Sequence, residues 1–368
     1  MSKQRETDIE IPVRDAAKSA CPSRPLIDIR TPEERQLGIP VGSIRMSAGE
    51  VLQCCRDDDR FAARGAFIFC SEGVRSKTTV LQLRRAGFTG FTSVTGGFNA
   101  WKSSGLPTEY FGGLDSVQTE RYARHLVMPQ VGARGQLKLR QARILLVGLG
   151  GLNSPVALYL AAAGVGKLGL VDFDTVERSN LQRQIVHSEA QLGRQKVTSA
   201  DDRIRELNPD VETVTYPQRV TSESAPGLVE PWDIVVDGTD SFSARYALND
   251  ACISQQKPLV YGAVMRFQGQ VSVFWPTRQT DVRAPCFRCL FPREPSTAEA
   301  PGCAEAGVLG VLPGIVGTLQ ANEALKLALG IGRPLVGRLL MIDSLNMEFR
   351  QTKLPAVPGC PSCGLERP

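Results

Sequence analysis

The sequence predicts an α/β chain of two units, each built on a parallel sheet, the smaller one first and a doubly wound one after it. Three observations carry this. Short apolar runs alternate with amphipathic stretches, as in strands that cross over through helices. The alternation is interrupted at residues 104–118, where Ser104-Gly105-Leu106-Pro107 and Gly112-Gly113 supply turn and linker residues. It then restarts on a larger scale, with a glycine-rich turn between a strand and a helix. The length agrees, since 368 residues fill two or three domains of about 150.

In the first unit Leu26-Ile27-Asp28-Ile29 reads as a strand, and Ala66-Phe67-Ile68-Phe69 as a second that ends at Cys70. A helix follows over Arg75–Ala86, where Val80, Leu81 and Leu83 are spaced for it, and Phe91–Val94 reads as a further strand. In the second unit the strands are Ile144–Val147, Leu168–Val171, Asp233–Val236 and Leu259–Tyr261, with a helix between the first two. That series is the pattern of a doubly wound sheet. The tail after Arg350 is rich in Pro and Cys and reads as irregular.

Composition removes several classes of function. Hydrophobic residues at 42% and charged residues at 22% exclude a disordered chain, a collagen and a coiled coil. A net charge of +5, with no concentrated basic face, calls for no nucleic-acid partner. His125 and His187 are the only histidines, so chemistry built on several is excluded. Ile144–Gly166 is uncharged and long enough to span a bilayer, but its glycines and the central Asn153-Ser154-Pro155 fit a strand, turn and helix better. The polar N-terminus is no secretory signal, so a cytoplasmic chain with reduced cysteines is expected.

Gly148-Leu149-Gly150-Gly151-Leu152-Asn153 can bring backbone N–H groups and a helix N-terminus close to phosphate. Asp172 ends the next strand, with Asp174 two residues on, about where an acid binds ribose hydroxyls. A dehydrogenase is disfavoured, because Asn153 replaces its third Gly or Ala and no hydride-transfer site follows. Asn180, Arg183, Gln184 and Lys196 come soon after, and two cations suit a triphosphate. Asp240 follows the strand Asp233–Val236 and is placed to hold Mg²⁺. Any one of these charges alone would read as a solvated surface residue.

This segment resembles the MoeB/ThiF family, bacterial relatives of ubiquitin-activating enzymes, from about Arg121 to Gly364. The resemblance rests on Arg121-Tyr122-Ala123-Arg124-His125-Leu126, the glycine turn, the Asp172–Gln184 block, Asp240, Cys303-Ala304-Glu305-Ala306-Gly307 and two Cys pairs. It implies a Rossmann-like domain that binds Mg-ATP and adenylates the C-terminal Gly-Gly carboxylate of a ubiquitin-like sulfur-carrier protein. It further implies that Asp172 holds the ribose, that Asn180, Arg183 and Lys196 contact phosphates, and that Asp240 holds Mg²⁺. Arg124 would reach the triphosphate of the neighbouring subunit in a homodimer. Asn153 and Ser241 depart from the Gly and Asn usual in the family.

Cys286-Phe287-Arg288-Cys289 and Cys360-Pro361-Ser362-Cys363 are two C-x-x-C pairs. Four such thiolates read as a closed, structural zinc site, supported by the resemblance; otherwise they are two unrelated surface pairs. Cys303 is unpaired in a Pro-Gly loop, and the resemblance leaves it either forming a thioester or an acyl disulfide or dispensable.

Cys70-Ser71-Glu72-Gly73-Val74-Arg75 follows a strand and opens a helix, so its amides and Arg75 would lower the thiol pKa. With Asp28-Ile29-Arg30 and Gly96-Gly97-Phe98-Asn99-Ala100-Trp101, it resembles a rhodanese domain over about residues 10–108, with Cys70 the sulfur-carrying nucleophile. Ile39 stands where that family often has His, and Glu72 adds a negative charge to the anion-binding loop, which would weaken thiosulfate binding and favour sulfur received from a protein donor. The expected organisation is a rhodanese-like domain (10–108), a linker (109–120) and an adenylating domain (121–368). The expected reaction is adenylation of the carrier followed by persulfide transfer from Cys70, supplied by a donor such as a cysteine desulfurase. The alternatives are a rhodanese domain that only docks, a nucleotide-binding regulator without turnover, and a relative acting on a small carboxylate or an RNA base.

Overall fold

The computed structural model describes residues 9–275, 284–294 and 307–364. The chain divides into two compact units, residues 1–137 and 138–368.

The first unit contains β1 (Glu10–Ile11), β2 (Leu26–Asp28), β3 (Ile39–Pro40), β4 (Ile44–Arg45), β5 (Phe67–Phe69), β6 (Thr92–Val94) and β7 (Thr108–Glu109). Five form a parallel sheet in the order β1-β6-β5-β2-β4, and β3 pairs antiparallel with β7. Successive side chains of a strand face opposite ways. Ile27 and Ile68 therefore enter one core with Val80, Leu83 and Phe91, while Leu26, Phe67 and Phe69 enter another with Phe98 and Trp101. The helix Val74–Arg85 supplies Val80 and Leu83. Tyr122, Leu126 and Ala133 pack with Leu114 in this unit.

The second unit contains β8 (Arg143–Val147), β9 (Lys167–Val171), β10 (Glu212–Tyr216), β11 (Ile234–Asp237), β12 (Leu259–Met265), β13 (Gln268–Phe274), β14 (Arg338–Asp343) and β15 (Glu348–Lys353). Their order is β10-β9-β8-β11-β12-β13-β14-β15; the first five are parallel and the last three join antiparallel. Leu145, Val147 and Val235 pack with Trp232, Leu248, Tyr261 and Phe287. The helix Asn153–Ala163 packs against the long helix Val311–Leu329. Gly317 makes this possible: a Cβ there would lie 2.0 Å from the Leu152 carbonyl oxygen.

The apolar runs become strands where expected, and Ile144–Gly166 is strand, turn and helix. Among the described residues no helix is long and apolar enough to cross a membrane. The tail differs from expectation, because β15 carries regular structure to Lys353. Its residues Glu348-Phe349-Arg350-Gln351-Thr352-Lys353 are all exposed, so no buried face marked it as a strand. Sheet order reverses at β8, which pairs with β9 on one side and β11 on the other. The crevice beyond the carboxyl ends of these two strands is where such sheets bind ligands.

Candidate active site

Gly148 leaves β8 at φ +79°, and a Cβ on it would lie 2.9 Å from the Gly238 carbonyl oxygen. The turn therefore needs glycine on both counts. Asp172, at the end of β9, accepts the Leu149 N–H at 2.7 Å on one oxygen and the Asp174 N–H at 2.8 Å on the other. Burial pushes its carboxyl above the ordinary range, against the pull of Lys196. Lys196, buried at the start of the helix Lys196–Leu207, donates to Asp174 at 3.1 Å.

Across the crevice, fully buried Asp237 ends β11 and accepts the Thr239 N–H at 2.9 Å and its hydroxyl at 2.7 Å. Arg245 pairs with Asp237 at 3.4 Å and donates to the Thr239 carbonyl at 2.6 Å. These bonds shape the turn that presents exposed Asp240. The two departures from the family pattern both have local roles. Asn153 is wholly buried, and its Nδ2 donates to Val147 and Gly148 carbonyls at 3.0 and 2.8 Å. Ser241 caps the helix Phe242–Ser254 by accepting the Ala244 N–H at 3.3 Å, as an Asn would.

Gly148, Gly150, Gly151, Asp172, Asp174, Arg183, Gln184, Lys196 and Asp240 all line one cavity of about 890 Å³. Buried Gln184 brings to its wall an Oε1 with no hydrogen-bond partner among the described residues, an acceptor left for a ligand to satisfy. Asn180 is not on that wall; its carbonyl accepts the N–H groups of Arg183 and Gln184 at 3.1 and 2.9 Å and so sets their turn. Arg124 is exposed on the short helix Ala123–Leu126 of the first unit. Cys303 lies outside the described residues.

Three lining residues escaped sequence reasoning. Arg219 lies 3.5 Å over the ring of exposed Phe173, and Arg245 supports the Asp240 turn. Phe173 sits inside the quoted Asp172–Gln184 block, whereas Arg219 and Arg245 carry no motif. His187 was legible only as a lone histidine. It pairs with the Leu149 carbonyl at 3.0 Å and the Ser199 hydroxyl at 2.8 Å, and burial pushes its pKa down to about 4.

The four cysteines of the two C-x-x-C pairs converge, with sulfurs all within 4.8 Å of one another. Three of these separations are 4.0, 3.6 and 3.4 Å. A tetrahedral ion about 2.3 Å from each sulfur would set them roughly 3.8 Å apart, so the group fits a metal ion. Asp250 holds both knuckles, accepting from Arg288 at 2.8 Å and Ser362 at 2.7 Å.

In the first unit Cys70 follows β5 and is 1% exposed. Its sulfur accepts the Gly73 N–H at 3.2 Å and lies 3.6 Å from the Ser76 hydroxyl. Burial raises the thiol pKa, but hydrogen bonds from Ser76, Glu72 and Gly73 outweigh it and hold it below the usual value. Gly97 lets the loop dock, since a Cβ there would lie 2.3 Å from the Cys70 carbonyl oxygen. Arg75 does not stand open at the loop. It makes a two-pronged ion pair with Glu34, a residue that no sequence motif singled out. Asp28 and Arg30 form a buried ion pair at 2.7 Å, in a structural position.

The ThiF family profile matches residues 122–362, and the rhodanese-like domain profile matches residues 14–104. The sulfur carrier protein adenylyltransferase of Thermus thermophilus is 48% identical over 249 residues, 68% of this chain and 92% of that protein. The SAMP-activating enzyme E1 of Haloferax volcanii is 47% identical, covering 68% and 91%. The maize adenylyltransferase and sulfurtransferase MOCS3-1 is 47% identical over 69% of this chain but only 53% of its own length, so the match spans about half of that relative. Escherichia coli MccB with ATP has the same fold, with a TM-score of 0.58 at 20% identity over 73% of this chain and 80% of that one. With the profile spanning the glycine turn, the cavity and three of the four clustered cysteines, and with such relatives matched over nearly their whole length, the chain belongs to the ThiF family and carries a rhodanese-like domain ahead of its ThiF domain.

Proposed function

We propose that the second unit uses Mg-ATP to adenylate the C-terminal Gly-Gly carboxylate of a ubiquitin-like sulfur-carrier protein, and that Cys70 then supplies persulfide sulfur. The observation that carries this reading is the convergence of the glycine turn, Asp172, Arg183, Lys196 and Asp240 on one cavity at the reversal of strand order. The names of the relatives and the rhodanese-like domain support it.

Asp172 takes the ribose hydroxyls on the lone pairs its two backbone bonds leave free. Arg183 and Lys196 offset the phosphate charge, Asn180 sets the turn that carries Arg183, and the glycine amides face the phosphates. Mg²⁺ at Asp240 would draw charge from the departing pyrophosphate. A carrier carboxylate oxygen attacks the α-phosphorus, and the bond to pyrophosphate breaks. The terminal sulfur of the Cys70 persulfide then attacks the acyl carbon, and AMP leaves with the C–O electron pair. A thiol, with Cys303 the candidate, attacks the Cys70 sulfur of the acyl disulfide. This releases the thiocarboxylate and leaves a disulfide that an external thiol reduces. Zn²⁺ in the cysteine cluster would tie the tail to the domain, with no open position for catalysis. The active form is a homodimer in which Arg124 reaches the partner's nucleotide, and a cysteine desulfurase is the persulfide donor.

Intact-protein mass spectrometry of the chain with Mg-ATP, a persulfide donor and a Gly-Gly carrier tests this. The carrier should gain AMP and then exchange it for sulfur. A carrier that is never adenylated overturns the reading. A Cys70→Ser chain that still makes thiocarboxylate leaves the first unit a docking module.

A further inference from the structure

The sulfurtransferase half of that reading takes a persulfide as the donor and leaves open which residues of the first unit select it. The loop Cys70–Arg75 holds one cation, Arg75, and its guanidinium is engaged on two sides by the carboxylate of Glu34, at 3.0 Å in one of the two bonds. The Ser71 hydroxyl, also in the loop, donates to the same carboxylate at 2.6 Å, and the Thr31 N–H donates to it at 2.9 Å. Glu34 is in turn fixed by its own helix, where Thr31 accepts the Glu34 N–H in a capping box. Glu34 is thus built into the loop rather than passing near it. Burial opposes its ionisation, yet Arg75, Ser71 and the Thr31 amide hold its pKa at about 2, so the charge stays on at any working pH. Glu72, exposed in the same loop, adds a second negative charge. The Cys70 sulfur is held by uncharged donors, the Gly73 and Glu72 amides and Ser76, and Arg75 reaches it only as a guanidinium that Glu34 already pairs.

From this arrangement we infer that Glu34 determines the sulfur donor, by cancelling Arg75 so that Cys70 accepts sulfur from an organic persulfide and discriminates against the thiosulfate dianion. The inference rests on Cys70 being the sulfur carrier. A dianion approaching Cys70 meets two carboxylates and one already paired guanidinium, and like charge repels it. A persulfide on a thiol brings at most one charge, delocalised over a soft, polarisable sulfur pair. In the step itself the Cys70 thiolate attacks the outer sulfur of the donor's persulfide. The donor's S–S bond breaks, its inner sulfur leaves as thiolate, and the new S–S bond forms on Cys70. No electrons are gained or lost by the pair, so no further oxidant is needed. Thiosulfate would leave sulfite in the same step, and the loop offers no free cation for that departing charge.

The full-length chain tests this with two probes, the persulfide of 2-mercaptoethanol and sodium thiosulfate, and gain of one sulfur on Cys70 read by intact mass against time. The wild-type chain should load from the 2-mercaptoethanol persulfide at least roughly tenfold faster than from thiosulfate at equal concentration. Glu34→Gln keeps the oxygen that accepts from Ser71 and Arg75 but removes the charge. It should raise the thiosulfate rate by roughly tenfold, and more at low salt than at high, while changing the persulfide rate by less than about twofold. Glu34→Ala, with the melting temperature followed in parallel, separates loss of charge from loss of the brace, because a loosened loop slows both donors alike. Equal wild-type rates with both donors overturn the inference, and so does a Glu34→Gln chain whose donor preference is unchanged. If no donor loads Cys70 in any folded variant, the sulfurtransferase reading itself fails.

Discussion

Asp240 stands exposed on the cavity wall, and no described bond in the fold depends on its side chain. Asp240→Ala should therefore abolish ATP–pyrophosphate exchange and shift unfolding by less than about 0.5 kcal/mol. Exchange at the wild-type rate would remove Asp240 from the mechanism. His187 is the opposite kind of residue, buried and holding Leu149 to Ser199. Its folded pKa of about 4 lies below the unfolded value of about 6.5. The unfolded chain binds the proton more readily, so this contribution is full above about pH 6.5 and is lost as pH falls toward 4. The effect is at most about 3 kcal/mol, since a tenfold difference in proton affinity between the folded and unfolded chain is worth about 1.4 kcal/mol. Denaturant unfolding of the wild type between pH 7 and 4 should show the slope, and His187→Gln should flatten it.

At the scale of elements, Asn153 replaces a glycine expected from the family without disturbing the turn, because its amide bonds the strand end that the turn leaves. Gly238 accommodates it: a Cβ at Gly238 would lie 2.6 Å from the Asn153 Nδ2. The side chain thus fills space between the ends of β8 and β11 and donates to Val147 and Gly148. Asn153→Ala should destabilise the second unit by about 1–3 kcal/mol, the range for a buried hydrogen-bonded group. On the proposed reading it should also weaken ATP binding, because Asn153 holds the Gly148 turn that would face the phosphates. Calorimetric melting and ATP titration read these separately. Unchanged melting would mean that the Asn153 bonds contribute nothing net.

Over the whole molecule, the cysteine cluster joins chain segments more than seventy positions apart, Cys286–Cys289 and Cys360–Cys363. Closing so long a loop through one ion constrains the unfolded chain strongly. Protein purified without chelator should carry about one zinc per chain. Strong chelation should lower the melting temperature of the second unit and leave the first unit's transition unchanged. A fully active, equally stable protein with well under one zinc per chain would count against the site.

The sequence by itself was enough for the two α/β units, for the parallel strands and for the glycine turn, Asp172, Arg183, Lys196 and Asp240 that meet at one cavity. The reasons are local. Buried parallel strands are unbroken apolar runs such as Ile144-Leu145-Leu146-Val147, and the glycine turn must precede its acid by one helix and one strand. The two Cys pairs were equally legible, because cysteines with two residues between them already lie close on one turn. Tertiary structure alone decided the rest. β15, exposed along its length, shows no burial pattern, so only its pairing with β14 reveals it. Arg219 and Arg245 carry no motif; Arg219 follows β10 and Arg245 lies near the start of the helix after β11, and only the folded sheet brings both to one cavity. Glu34 lies 41 positions from Arg75 in sequence and meets it only because the parallel sheet sets β2 and β5 side by side, bringing the turns that follow them together. A carboxylate's partner across a sheet is fixed by strand order, and no spacing along the chain encodes it.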